Sequence, residues 1–273
     1  MNRKILNIFA VSCSLLFCMT VSGNVVSIDF EDEESYDNET QSQTFGKFRN
    51  LVKNANINRV YNNANYVLQF KGPTKASVVY DETPSESQIG TTFSVGVGET
   101  LSVTLDCEPV NAGPVPDGQA QREAVLRVGF FNPDAREGNV GMVSSLTMDF
   151  FTDPAASTRF FLLTDVENPR YELTAADLEP TSDTDTLAYT IQVDYTRISE
   201  DIGQITFTVY TKNELGSDHN TGDEIAFRSL NFTYGTGANN VNLGSDKVGI
   251  FIGALLSTSV TLDVDNFTAK IVP

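Results

Sequence analysis

The chain has 273 residues, with 36 Asp and Glu against 18 Lys and Arg and a formal charge of −18. Acidity on that scale argues against nucleic acid or an anionic membrane as a partner, because both carry the same sign. Three cysteines cannot supply a disulfide framework, so the fold must rest on a hydrophobic core, and a chain this long can bury a large one.

In chain order, Arg3 and Lys4 give a basic start, Ile5 to Met19 form an apolar run, and Val21-Ser22-Gly23 close it with small residues. This is the pattern of a secretory signal peptide, too short for a typical membrane span. Residues 1–23 are expected to be removed, and 24–273 to form one secreted domain, extracellular or periplasmic. Cys13 and Cys18 leave with the leader. Cys107 shares its phase with Leu101, Val103 and Leu105, which reads as a buried small hydrophobe.

Strand patterns then recur, separated by Gly, Pro, Asn and Asp. Alternation runs through Val26-Ile28-Phe30, Tyr66-Leu68-Phe70, Phe93-Val95-Val97 and Leu101 to Cys107. It resumes at Leu126-Val128-Phe130, Leu146-Met148-Phe150 and Phe160-Leu162. Tyr189 to Tyr195 and Ile205 to Val209 form a predicted hairpin around Ser199–Gly203. Ile225-Phe227, Leu230-Phe232-Tyr234 and Val248-Ile250-Ile252 follow. Helical signals are few: Phe45, Phe48, Leu51 and Val52 have the spacing but include Gly46, and Leu173 to Glu179 would make one turn. Glu108–Gln121 and Glu179–Thr186 read as loops. So many strands without alternating helices predict an all-β, antiparallel sandwich in a single domain.

The final stretch carries a phase slip. Val260, Leu262 and Val264 are apolar on even numbers, whereas Phe267, Ala269 and Ile271 continue on odd ones. A one-residue bulge at Asp265–Asn266 keeps both halves facing the core. Asp263 and Asp265 lie off that core face, as do Asp29 and Glu31 in the opening strand. If the two terminal strands are neighbours, four carboxylates meet. A calcium ion bound by Asp29, Glu31, Asp263 and Asp265 would reverse their repulsion, and an acidic solvated edge is the alternative.

The opening I-D-F-E-D and the closing L-D-V-D-N-F-T-A-K-I-V resemble the two ends of concanavalin A-like jelly rolls, which include laminin-G-like and bacterial carbohydrate-binding modules. The pair L-A-Y-T-I-Q-V-D-Y-T and Q-I-T-F-T-V-Y-T is similar to their back-sheet strands. The resemblance implies a jelly-roll β-sandwich, sugar binding and a structural calcium at the chain ends. One departure is the absence of tryptophan, the commonest sugar-stacking residue in such modules.

A second pattern is electrostatic. Residues 41–80 contain no Asp or Glu, but they hold Lys47, Arg49, Lys53, Arg59, Lys71 and Lys75, many asparagines, and Tyr61 and Tyr66. Arg49, Asn56, Asn58, Arg59, Tyr61 and Tyr66 are the candidate contacts for an extracellular glycan, an acidic one by charge, since amides and cations bond sugar oxygens and tyrosine offers a stacking face. The alternative is that the basic island docks on the protein's own acids. No catalytic set emerges. Glu31-Asp32-Glu33 falls on alternate faces, Asp263-Val264-Asp265 has only two acids, and His219 sits in a turn-like G-S-D-H-N-T-G. A secreted, non-catalytic carbohydrate-binding module is the expectation. A glycan-cleaving enzyme of the same fold and a matrix or adhesion protein are the alternatives.

Overall fold

The computed structural model describes residues 26–28, 30, 34–37, 42–45, 47–50, 56–62, 65–82, 90–110, 124–132, 146–151, 159–163, 171–172, 188–212, 224–235, 240–241, 243, 246–256 and 261–273. The first strands are β1 (Val26–Ile28), β2 (Glu34–Asp37), β3 (Ser42–Phe45), β4 (Phe48–Asn50), β5 (Ile57–Asn62), β6 (Asn65–Lys71) and β7 (Thr74–Tyr80). Then come β8 (Phe93–Ser94), β9 (Thr100–Val110), β10 (Ala124–Phe131), β11 (Leu146–Phe151), β12 (Arg159–Leu163) and β13 (Tyr171–Glu172). The last are β14 (Ala188–Arg197), β15 (Ile202–Lys212), β16 (Glu224–Tyr234), β17 (Asn240–Val241), β18 (Lys247–Leu256) and β19 (Thr261–Val272).

These strands form two sheets. One runs β17-β16-β15-β14-β9-β19-β6-β5, with β1 also on β19. The other runs β13-β12-β11-β10-β18-β7-β4-β3-β2, with β8 on β18. Every pairing is antiparallel except the short one between β16 and β17. The expected antiparallel sandwich is therefore the observed fold. Its interior is one contiguous cluster fed by both sheets, including Leu101, Val103 and Leu105 of β9 and Val248, Ile250 and Ile252 of β18. Cys107 is fully buried among them, as its phase predicts.

The β14–β15 hairpin forms as expected, with Tyr195 opposite Ile205. Its turn is tied by Ser199 Oγ, which accepts from the backbone N–H groups of Asp201 and Ile202 at 3.3 and 3.1 Å. The β19 bulge is also present. Asp265 faces Asp106 and Thr268 faces Thr104, so two residues of β19 oppose Leu105 alone. Asn266 sits at φ 49°, the left-handed region that asparagine tolerates better than most residues. That turn delivers Phe267 to the centre of the core, edge-on to Phe48 with 4.8 Å between ring centroids.

Other expectations change. Phe45 and Phe48 are not on a helix but are cross-strand partners of β3 and β4, and a two-residue connection between paired strands imitates an i, i+3 spacing. Leu51 and Val52 lie outside the described residues, as do 173–187 and His219. Glu108 to Val110 belongs to β9 rather than to a loop. Val97 leaves its expected strand for an exposed turn beside Gly98. Ile225-Phe227 and Leu230-Tyr234 fuse into β16, whose register against β15 slips by one residue between Ala226 and Glu224. Phe227 lies in the regular register opposite Thr208, on the face away from Leu230 and Phe232, where it is 54% exposed.

Candidate functional site

The β5–β6 hairpin starts in the core and runs out of it. Ile57 and Phe70 are opposite each other and buried. Alternation carries Arg59 and Tyr61 along the same face as Ile57, and Tyr61 lies directly opposite Tyr66. Arg59 Nε donates to the backbone carbonyl of Phe30 at 2.5 Å, and its guanidinium carbon stands 3.5 Å from the centroid of the Tyr66 ring. The Tyr61 ring meets Tyr66 at 5.0 Å and 63°, and Tyr61 is 62% exposed. The result is a layered stack of guanidinium, half-buried tyrosine and exposed tyrosine. A cation over an aromatic face contributes about 0.5–1 kcal/mol at an exposed site, enough to fix ring orientation rather than to hold the fold. Phe30 itself has φ 58°, unusual for a bulky residue, and its carbonyl is the one that Arg59 holds.

The remaining candidates are spread more widely. Asn58 is exposed on the opposite face of β5, across from Gln69. Asn56 precedes the strand, and its side-chain amide donates to the carbonyl of Pro73 at 3.2 Å. Arg49 lies on β4 in the other sheet, half-buried and paired with Asp81 at 3.3 Å. Lys47 pairs with Glu82 at 3.0 Å. The basic segment is thus divided between the sheets, and the structure brings together Arg59, Tyr61 and Tyr66.

The terminal carboxylates are placed differently from a solvated edge. β1 does lie on β19, with Ile28 opposite Phe267. Yet β19 sits between β9 and β6 in the interior of its sheet. Asp263 faces Glu108 and Asp265 faces Asp106, and none of these four acids is more than 8% exposed. Three neutral side chains donate to them. Gln69 Nε2 donates to Asp263 Oδ1 at 2.8 Å. Thr190 Oγ1 donates to Asp106 Oδ1 at 2.6 Å, and Asn266 Nδ2 donates to Asp106 Oδ2 at 2.8 Å. Among the described residues no group of three or more His, Cys, Asp or Glu side chains is arranged to hold a metal ion. Asp29 and Glu31, the other expected calcium ligands, lie outside the described residues. Asp106 and Glu108 carry no motif of their own; the T-x-S-x-T-x-D-x-E alternation of β9 is the only signal that marks them.

No protein-family model and no curated protein matches the sequence. Among solved structures, a Bauhinia forficata lectin in complex with GalNAc is similar at 10% identity and a TM-score of 0.47, covering 92% of this chain and 99% of the lectin. Arcelin-5, a lectin-like defense protein from Phaseolus vulgaris, is similar at 8% identity and a TM-score of 0.49, covering 92% of this chain and 99% of its own. A marine alginate lyase from Aplysia kurodai is similar at 10% identity and a TM-score of 0.43, covering 80% of this chain and 87% of the lyase. These are likenesses of fold, spanning both a sugar-bound lectin and an enzyme.

Proposed function

We propose that the protein is a secreted, non-catalytic module that binds an extracellular glycan, with the β5–β6 hairpin as its contact. The observation that carries this reading is the exposed ring of Tyr61, held edge-to-face against Tyr66, which Arg59 in turn braces. A sugar ring has apolar C–H faces and a polar rim. A fixed aromatic face beside a guanidinium suits both. Because Arg59 is a permanent cation that forks toward carboxylates, the glycan proposed is an acidic one.

Retention on immobilised alginate and heparin tests the reading. Tyr61→Ala is expected to weaken binding about five- to tenfold, the loss of roughly 1–1.4 kcal/mol of aromatic contact. Arg59→Gln should do the same by releasing Tyr66. Wild-type protein that passes unretarded, or a Tyr61→Ala variant that binds as well as wild type, would remove the hairpin from the function.

A structural calcium at the paired chain ends is a separate proposal. Its support is the register of β1 on β19, where Ile28 faces Phe267, two residues beyond Asp265. EDTA should lower the melting temperature and added calcium restore it, because a ligand that binds only the folded state stabilises it by mass action. An unchanged melting temperature rejects the metal.

A further inference from the structure

Five large apolar side chains are exposed among the described residues, and three of them share two adjoining turns. Val97 stands between β8 and β9, and Ile198 and Ile202 flank the turn between β14 and β15. These three are 41 to 52% exposed. Backbone bonds join the turns. The Gly98 N–H donates to the Arg197 carbonyl at 2.7 Å, and the Arg197 N–H donates to the Glu99 carbonyl at 3.1 Å. The Ile198 N–H donates to the Ile202 carbonyl at 3.0 Å. Val97 and Ile198 therefore occupy neighbouring backbone positions, as do Ile198 and Ile202, and the three form an apolar tip at one end of the sandwich.

The tip is tied from beneath. Arg197 is buried and reaches across to the other turn, where its Nη1 donates to the Val95 carbonyl at 3.2 Å, while its Nη2 pairs with Glu200. The β8–β9 turn also closes on itself. The Gly96 N–H donates to Glu99 Oε2 at 2.7 Å, and the Glu99 N–H donates to the Gly96 carbonyl at 3.0 Å. Gly98 takes φ 86°, although a Cβ there would touch nothing, so glycine serves the backbone path that carries Val97 to the isoleucines. Cross-strand packing accounts for Ile198 beside Ile202 as a clasp on their own hairpin. It does not account for Val97, which a different turn brings to the same place, where polar residues are the rule.

The charges around the tip select its partner. The two turns, with the 246–247 stretch to which Val95 is bonded, carry Glu99, Glu200, Asp201 and Asp246 against Arg197 and Lys247. Arg197 is buried and engaged by Glu200, whereas Asp201 and Asp246 are exposed. We propose that this tip docks a short protein segment whose apolar side chains are flanked by Lys or Arg. An acidic rim repels a second copy meeting tip to tip and opposes an anionic lipid surface. Three side chains fall well short of the roughly 800 Å² per partner of a stable domain–domain interface, so the occupant is a segment rather than a folded domain. Because the turns are tied before binding, little ordering cost falls on this side of the contact. The tip is separate from the Arg59–Tyr66–Tyr61 hairpin and does not rest on the glycan reading.

Fluorescence anisotropy with two labelled nonapeptides provides the test, one alternating Lys and Ile and a charge-matched one alternating Lys and Ser. Wild type should bind the Lys–Ile peptide about tenfold more tightly than the Lys–Ser peptide, and less tightly as salt rises. Val97→Ser and Ile202→Ser should each cut Lys–Ile affinity about threefold, leave Lys–Ser binding unchanged and keep the wild-type melting temperature. Asp201→Asn should weaken Lys–Ile binding and flatten its salt dependence. Tyr61→Ala should change neither, so the tip and the hairpin fail separately. Four results overturn the proposal: equal affinity of wild type for the two peptides, equal Lys–Ile affinity of wild type and both serine variants, flotation with phosphatidylcholine vesicles that the serine variants lose, or sedimentation of wild type as a dimer that Val97→Ser dissociates.

Discussion

Tyr80 lies nearly parallel to Phe267 with 6.1 Å between centroids, and its buried hydroxyl has no hydrogen-bond partner among the described residues. Leaving such a group unsatisfied costs about 1–3 kcal/mol. Tyr80→Phe is therefore expected to raise stability by about 1 kcal/mol, read from the urea midpoint; a fall would mean that the hydroxyl has a partner. Burial, with a smaller push from Glu82, raises the Tyr80 phenol to about 12. Burial first, then Asp106 and Glu108, raises the Cys107 thiol well above 9.0. Burial first, then the hydrogen bond to Tyr234, raises Tyr195. All three groups have the same sign. At alkaline pH the unfolded chain releases protons that the folded chain keeps, so these groups lower stability as pH rises. Their neutral forms leave stability flat below about pH 9, where an unfolded thiol begins to ionise, and the decline deepens between about 10 and 12 as unfolded tyrosines follow. Tyr80→Phe should flatten the upper part of that decline in urea titrations across pH 8–12. Gly249 sets a different limit. A Cβ there would come within 2.4 Å of two carbons of the Phe131 ring, which packs with Val79 and Phe251. Gly249→Ala should cost about 1–3 kcal/mol by overpacking, seen as a lower denaturation midpoint with an unchanged slope.

At the scale of single strands, β19 was the most legible. Its change from even to odd apolar positions located the bulge to the residue, because only an inserted residue keeps Leu262 and Phe267 on one face. Asn266 then does two things, adopting φ 49° and donating to Asp106. Asn266→Ala should cost about 2 kcal/mol, since it loses the bond to Asp106 and the short polar side chain that lets asparagine tolerate the left-handed region better than alanine does. Asn266→Gly should recover about half of that loss by relieving the backbone alone. In β16 the apolar positions are odd at Ile225 and Phe227 and even from Leu230, but the register is unbroken from Thr233 to Ala226 and slips only at Ile225, so the change of phase there records an outward Phe227 and not the bulge. The acids were less legible for a different reason. Alternation shows that Asp263 and Asp265 avoid the core face, but which side chains face them is a property of register. Placing Glu108 and Asp106 opposite them depends on β9 pairing with a strand about 150 residues away, and nothing local encodes that. The candidate site divides in the same way. Tyr61 and Tyr66 flank a short turn and meet by local pairing, whereas the hold of Arg59 on the Phe30 carbonyl spans 29 residues of chain.

The molecule as a whole has one main core rather than two, since side chains of both sheets belong to a single contiguous cluster. Thermal unfolding followed by far-UV dichroism and by tyrosine fluorescence should therefore give coincident single transitions; two separated midpoints would mean that the sheets melt independently. Strand order adds a kinetic consequence. β19 comes last in sequence among the described strands, yet in space it joins β9 to β6 and also carries β1. Until residues 261–272 arrive, its sheet is two ladders with open edges, and the first strand has nothing to lie on. A chain ending at residue 260 should show no cooperative transition at all. Any process that delivers this polypeptide N-terminus first leaves that sheet unstitched until residues 261–272 follow.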